Sequence, residues 1–282
     1  MRVVCAGHVN WDVHLRLDRL PEADGEALIR DRSEGGGGSA ANVAVGLAGL
    51  GGDPCVIGSV GDDDRGRRTV ARLEAQGVDT RIQVVPDEPT TIKYVLVADD
   101  GEVAILGSDG ANEALAPEDV SASLVADADW LHLTGQHPAT ARRLAELAAD
   151  RDIPVSFDPG RRVTDRAYDG VLERTDLLFA TEREAAATDT SVPRRVTKYG
   201  PDGASVSGPE GTVEHEGYAV DGPVNSAGAG DAFAAGFLAV WLEDTDPDPE
   251  RALAVACACG SLATREPGSQ SALSWERIDA LL

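Results

Sequence analysis

Short β-branched runs alternate with Ala-, Leu-, Arg- and Glu-rich stretches along most of the chain, and this alternation constrains its fold more than any other feature. Strand-like segments read V-V-C-A-G at 3–7, P-C-V-I-G-S-V at 54–60, D-W-L-H-L-T at 129–134, I-P-V-S-F-D at 153–158 and D-L-L-F-A at 176–180. Helical patterns lie between them at 39–50, 66–76, 138–149 and about 166–173. Parallel strands need crossovers of a dozen or more residues, so this order predicts an α/β fold, a doubly wound, mainly parallel sheet flanked by helices. One such unit accounts for all 282 residues, 1–282.

Two regions break the pattern. Residues 12–33 and 80–106 read as antiparallel strands with turns at P-E-A-D-G and D-D-G, and together predict a small inserted β-sheet over one edge of the main one. The first insertion falls between strand one and helix one, where doubly wound folds bind ligands, so a lid is the functional reading and a β-flap contacting a second copy the structural one. Beyond Thr181 the order becomes helix, a strand from R-R-V-T-K-Y, a hairpin through P-E-G, then helices at 228–242, 249–264 and 275–282.

The formal net charge of −24 and a pI near 4.4 exclude a general nucleic-acid or anionic-membrane partner. Lys93 and Lys198 are the only lysines, and arginine carries nearly all the positive charge. With acidic clusters such as Asp62-Asp63-Asp64 and the run at 243–250, this points to a halophilic protein kept soluble in concentrated salt. Cys5, Cys55, Cys257 and Cys259 have neither disulfide nor metal spacing and read as buried thiols in a reducing compartment. With no bilayer-length apolar stretch and no signal-peptide core after Met1, a cytoplasmic location is expected.

G-G-G-G-S-A-A-N at 35–42 does not make a dinucleotide fingerprint, because the preceding L-I-R-D-R-S-E is no hydrophobic strand. Neither lysine follows a Walker-type loop. What remains is a glycine turn feeding a helix, with Asn42 able to bind hydroxyl groups. N-W-D at 10–12 follows the first strand, so Asn10 and Asp12 are expected at its ligand edge, with Trp11 stacking or packing beneath the lid. The strongest signal is A-G-A-G-D at 227–231, where bare backbone N–H groups open a helix and form an anion site. Asp231 in that first turn could simply favour the helix. Beside an anion hole it could also take a proton from an attacking hydroxyl during phosphoryl transfer.

Taken in order, N-x-D after strand one, G-G-S-A-A-N at 37–42, G-A-N at 110–112, F-D-P-x-x-R at 157–162, T-x-x-G-x-x-G at 197–203 and A-G-A-G-D-A-F at 227–233 resemble the ribokinase-like (PfkB) carbohydrate kinases over essentially the whole chain. The resemblance implies a ribokinase-like fold and an ATP- and Mg²⁺-dependent kinase acting on a primary hydroxyl of a small sugar or sugar acid. It implies an acceptor pocket of Asn10, Asp12, Gly37, Gly38, Asn42 and Arg162, with Arg162 reaching either phosphates or an acidic substrate group. Asp231 would be the base and Gly228, Ala229 and Gly230 the anion hole; Thr181, Thr197, Gly200 and Gly203 would serve ATP, and Glu184 would hold Mg²⁺ through water. The family's N-x-x-E stands here as T-E-R-E. Asn225 replaces the Asp usual at the edge of a monovalent-cation (K⁺) site, and Gly160 the Asn frequent in sugar-acid kinases. Homodimerisation through the lid, a nucleoside acceptor stacked on Trp11 or Tyr94, and a non-catalytic sugar sensor are the further readings.

Overall fold

A computed structural model describes every residue except 109, 221–223 and 245, the last of which lies within the acidic run at 243–250. The first half contains β1 (Arg2–Ala6), β2 (Asn10–Leu17), β3 (Ile29–Gly37), α1 (Ser39–Gly49), β4 (Asp53–Gly61), α2 (Asp64–Ala75), β5 (Asp79–Val85), β6 (Ile92–Ala98), β7 (Val103–Gly107) and β8 (Trp130–Thr134). The second half continues with α3 (Pro138–Ala149), β9 (Val155–Asp158), α4 (Asp169–Leu172), β10 (Leu177–Thr181), α5 (Glu182–Ala186), β11 (Arg194–Lys198), β12 (Ala204–Gly208) and β13 (Gly211–His215). Three helices close the chain: α6 (Ala229–Trp241), α7 (Pro249–Ala263) and α8 (Trp275–Asp279).

Nine strands form the main sheet in the order β13-β12-β11-β10-β9-β8-β1-β4-β5. Pairing is parallel from β11 to β5, and the β12–β13 hairpin adds two antiparallel strands at one edge. Strand residues alternate between two faces, and both faces are covered. Val3 and Cys5 pack with α1, α6 and α7, while Val4 and Ala6 pack with α3 and α4. All four cysteines are buried free thiols, and burial pushes each of them up. Among the described residues, no helix is long and apolar enough to cross a membrane.

A second, four-stranded sheet in the order β3-β2-β6-β7 forms the lid. Two details differ from the sequence expectation. Residues 79–85 pair in parallel with β4 and extend the main sheet, so the lid takes only the later part of 80–106. The central lid strands β2 and β6 run parallel, because the chain returns through α1, β4, α2 and β5 before β6 rather than through a tight turn. The helix expected at 166–173 shrinks to the single turn of α4. Gly170 is a poor helix former, and Arg166 and Tyr168 are drawn off to Glu113 and to the Gln136 carbonyl.

Candidate functional site

The order of the sheet reverses at β1, whose neighbours are β4 on one side and β8 on the other, and doubly wound folds bind ligands beyond the strand ends at such a point. A cleft of about 480 Å³ lies there. Successive strand ends supply its wall: His8 follows β1, Gly135 follows β8, and Asp158, Thr181 and Lys198 end β9, β10 and β11. The lid contributes Asn10 and Asp12 from β2, Lys93 from β6 and Ile105 from β7. Helix starts supply Ser39 and Asn42 from α1, and Gly228, Gly230 and Asp231 at α6.

Local chemistry explains these placements. Gly38 caps α1 at φ 96°, where a Cβ would strike the His8 carbonyl, and a Cβ at Gly37 would overlap the Asp12 carboxylate. Gly228 caps α6 in the left-handed region at φ 79°, where a Cβ would strike the Ser269 carbonyl. A side chain at any of these three positions would spread the cleft wall. T-E-R-E folds as a capping box: Thr181 Oγ1 accepts from the Glu184 N–H at 3.3 Å, and Glu184 Oε2 accepts from the Thr181 N–H at 2.8 Å. Glu184 is thereby fixed at the cleft and nearly buried.

Asp231 Oδ2 accepts from Asn42 Nδ2 at 2.7 Å. Burial raises its carboxyl from 3.8 to about 6, and Asp158 adds to the rise; Asn42, Lys198 and Ser39 oppose it. Burial also raises Asp12 to about 6, against Ser269, Lys93 and Asn10, and the Ser269 hydroxyl donates directly to Asp12. Asn10 is held by Asn112, whose own amide oxygen accepts from the Val9 N–H at 3.2 Å. Lys198 Nζ donates to Asp158 at 2.6 Å in a pair largely shut off from solvent. Glu113 accepts from both Arg166 nitrogens at 2.8 and 3.1 Å and lies 2.9 Å from His8 Nε2.

The cleft therefore unites Asn10, Asp12, Gly38, Asn42, Arg162, Thr181, Glu184, Gly228, Gly230 and Asp231. Gly37 sits immediately behind Asp12, and Thr197, Gly200 and Gly203 lie on β11 and the turn after it, outside the lining. The Ala229 N–H donates to the Ser226 carbonyl at 3.3 Å and the Ala232 N–H to the Gly228 carbonyl, which leaves the N–H groups of Gly228, Gly230 and Asp231 as the donors at the mouth of α6. Trp11 is buried beneath the lid with the Arg68 guanidinium 4.6 Å above its ring, and Tyr94 is outside the lining. Asn225 lies beneath the cleft, its Oδ1 accepting from the Ala227 N–H at 2.9 Å. Its Nδ2 donates to the carbonyls of Pro267 and Gly268 at 3.3 and 3.5 Å and faces His14.

Sequence reasoning assigned no role to Lys198, Asp158, Ser269 or the Glu113 cluster. One signal for Lys198 was available: in a chain with two lysines, both line the cleft.

A parallel α/β sheet with a β-lid, a buried carboxylate and a glycine-opened helix define a ribokinase-like small-molecule kinase. The family model described as pfkB family carbohydrate kinase matches residues 1–276, and the chain belongs to that family. It is 51% identical over 293 aligned residues to an ATP-dependent ribose-1-phosphate kinase of Halopiger xanaduensis, covering 100% of this chain and 98% of the relative. A nucleoside kinase of Methanothermobacter thermautotrophicus is 28% identical, covering 86% of this chain and 84% of its own. In structure the chain is similar to Arabidopsis thaliana ribokinase complexed with ribose and ATP, with a TM-score of 0.86, 24% identity and coverage of 99% and 97%. The protein is an ATP-dependent carbohydrate kinase.

Proposed function

We propose that the protein transfers the γ-phosphoryl group of ATP to the 5-hydroxyl of ribose-1-phosphate, yielding ribose-1,5-bisphosphate and ADP. The observation that carries the chemistry is Asp231, a carboxylate raised to about 6 at the glycine-opened start of α6 and aimed by Asn42. The acceptor follows from the 51% identity along the full chain to a ribose-1-phosphate kinase. Asp12, Asn10 and Asn42 hold the sugar hydroxyls, with Gly37 and Gly38 allowing close backbone approach. Asp231 takes the hydroxyl proton as the new oxygen–phosphorus bond forms and the bond to the ADP oxygen breaks. The N–H groups of Gly228 and Gly230, with Ala229 holding the turn, face the charge on the transferring group. Lys198, paired with Asp158, sets its ammonium beside Gly230; Thr181 borders the nucleotide in the cleft, and Thr197, Gly200 and Gly203 would meet it beyond the lining.

The donor set suits Mg²⁺. Glu184 keeps one carboxylate oxygen outside its capping bond, and among the described residues no group of three acidic, His or Cys side chains gathers into a protein cage. Such a site fits a hydrated ion shared with phosphates, which when bound would neutralise phosphate charge. Asn225 does not fit a K⁺ ligand: its amide N–H groups already occupy the Pro267 and Gly268 carbonyls, and its oxygen is committed to Ala227. A nucleoside acceptor lacks support, since neither Trp11 nor Tyr94 lines the cleft. Exposed Leu28, Ile29, Tyr94 and Leu106 give the lid an apolar face suited to pairing two copies.

The test is turnover of ATP with ribose-1-phosphate, ribose, fructose and adenosine in concentrated KCl, with the bisphosphate identified by phosphorus NMR. The highest kcat/KM is expected for ribose-1-phosphate. A higher value for any unphosphorylated acceptor would refute the assignment.

A further inference from the structure

One corner of the cleft concentrates positive charge in a chain whose net charge is −24. The 3₁₀ turn Gly160–Thr164 after β9 brings Arg161 and Arg162 to the lining, beside His8 from the end of β1. Glu113 is the acidic partner here. Both of its oxygens are taken by Arg166, and His8 shares one of them. Burial alone would raise the Glu113 carboxyl, yet the hydrogen bonds from His8 and Arg166 hold it at about 2, so it stays charged and occupied. Arg162 comes no nearer than 3.9 Å to Glu113, with 57% of its side chain exposed. The Arg166–Glu113 pair thus cancels, and the charges of Arg161 and Arg162 are left facing the cleft. Two guanidinium forks match the oxygens of a phosphate dianion better than a neutral sugar end, which would leave them unsatisfied.

We propose that Arg161 and Arg162, backed by the His8–Glu113–Arg166 cluster, form a subsite for a phosphate carried by the acceptor, distinct from the site at α6 for the phosphate in transfer. The proposal rests on the ribose-1-phosphate reading and assigns the residues that separate this substrate from ribose. The cluster adjoins the Asn10–Asn112 pair, whereas Asp231 is tied to Asn42 on α1, so the two sites are built on different walls. Arg166 is a positioning residue: it saturates Glu113 and keeps that carboxylate from neutralising Arg162.

Calorimetric titration of the full chain with ribose-1-phosphate, ribose and Mg-ATP tests the subsite directly. Arg161 and Arg162 are exposed, so their replacement leaves the core untouched. In R161A/R162A the Kd for ribose-1-phosphate should rise by about 100-fold or more, since charge-assisted hydrogen bonds contribute roughly 10- to 100-fold each, while the Kd for Mg-ATP moves less than about threefold on the same scale. R166K, which keeps the charge but loses the fork, should weaken ribose-1-phosphate to an intermediate degree. An unchanged Kd for ribose-1-phosphate in the double variant, or an equal loss for Mg-ATP, overturns the subsite. Turnover in the same samples separates the two readings. Wild-type turnover of ribose-1-phosphate with an unaffected variant Kd rejects the subsite alone, and arginine-dependent binding without turnover rejects the kinase assignment alone. Failure of the wild type to bind ribose-1-phosphate rejects both.

Discussion

Replacing Asp231 with Asn separates what this residue does for catalysis from what it costs the fold. The substitution is nearly isosteric and keeps the hydrogen bond from Asn42, because the new amide oxygen still accepts it. Loss of the base should lower kcat by roughly 10²–10⁴. Stability should move the other way. A carboxyl held at about 6 rather than 3.8 is penalised in its ionised native form by about 3 kcal/mol at neutral pH, an upper bound because the side chain is partly open to the cleft.

The sign follows from linkage. A raised native value means that the wild type has its full share of stability from this group below the unfolded value near 3.8 and loses it as pH rises through about 6. The Asn variant does not titrate there, so its advantage should be greatest at pH 7–8 and fade toward pH 4. For a chain of this size the advantage corresponds to a rise in Tm of at most about 5 °C at neutral pH. Thermal unfolding in 2 M KCl across pH 4–8, paired with steady-state turnover, reads both effects; the wild-type kcat/KM should rise with pH through about 6 as Asp231 ionises. Near-normal turnover in the variant, or a Tm difference that stays flat with pH, would refute this account of Asp231.

Lys198→Met should cost about 3–5 kcal/mol by leaving Asp158 unpaired in a largely closed site, measurable by denaturant unfolding. It should also move the acid limb of the rate profile upward, because Lys198 opposes the rise at Asp231; an unshifted limb would exclude that coupling. Asn225→Asp removes the N–H groups that satisfy Pro267 and Gly268 and puts a carboxylate beside their carbonyls, so activity should become K⁺-dependent. The wild type should not distinguish KCl from choline chloride at equal ionic strength, and K⁺ activation of the wild type would show that the amide does not stand in for the ion. Because the net charge is −24, the wild-type Tm should climb with KCl as screening shortens repulsion to about 3 Å at 1 M, and an undiminished Tm in dilute buffer would reject the halophilic reading. If the lid faces pair, Leu106→Asp should shift a dimer to monomer in sedimentation velocity; a wild-type monomer at working concentration would rule the pairing out.

Much of this protein is determined locally. The alternation of β-branched and helical runs sets the parallel sheet because side-chain periodicity and crossover length are properties of neighbouring residues. A-G-A-G-D and G-G-S-A-A-N are legible for the same reason, since a glycine-opened helix is built within four or five positions, whereas T-E-R-E stood out only through the family resemblance and its capping box came from the structure. What the sequence left open depends on distance along the chain. Residues 79–85 carry a strand pattern whichever sheet they join, and only pairing with β4 decides it. Arg166 meets Glu113 across 53 residues, and His8 meets Glu113 across 105. Asn225 reaches carbonyls 42 and 43 positions away. The proton affinities of Asp12 and Asp231 are likewise tertiary. Desolvation and the charges that offset it come from walls built by different strands and helices, so one residue type is an ordinary capping carboxylate on an open helix and a candidate base at the bottom of this cleft.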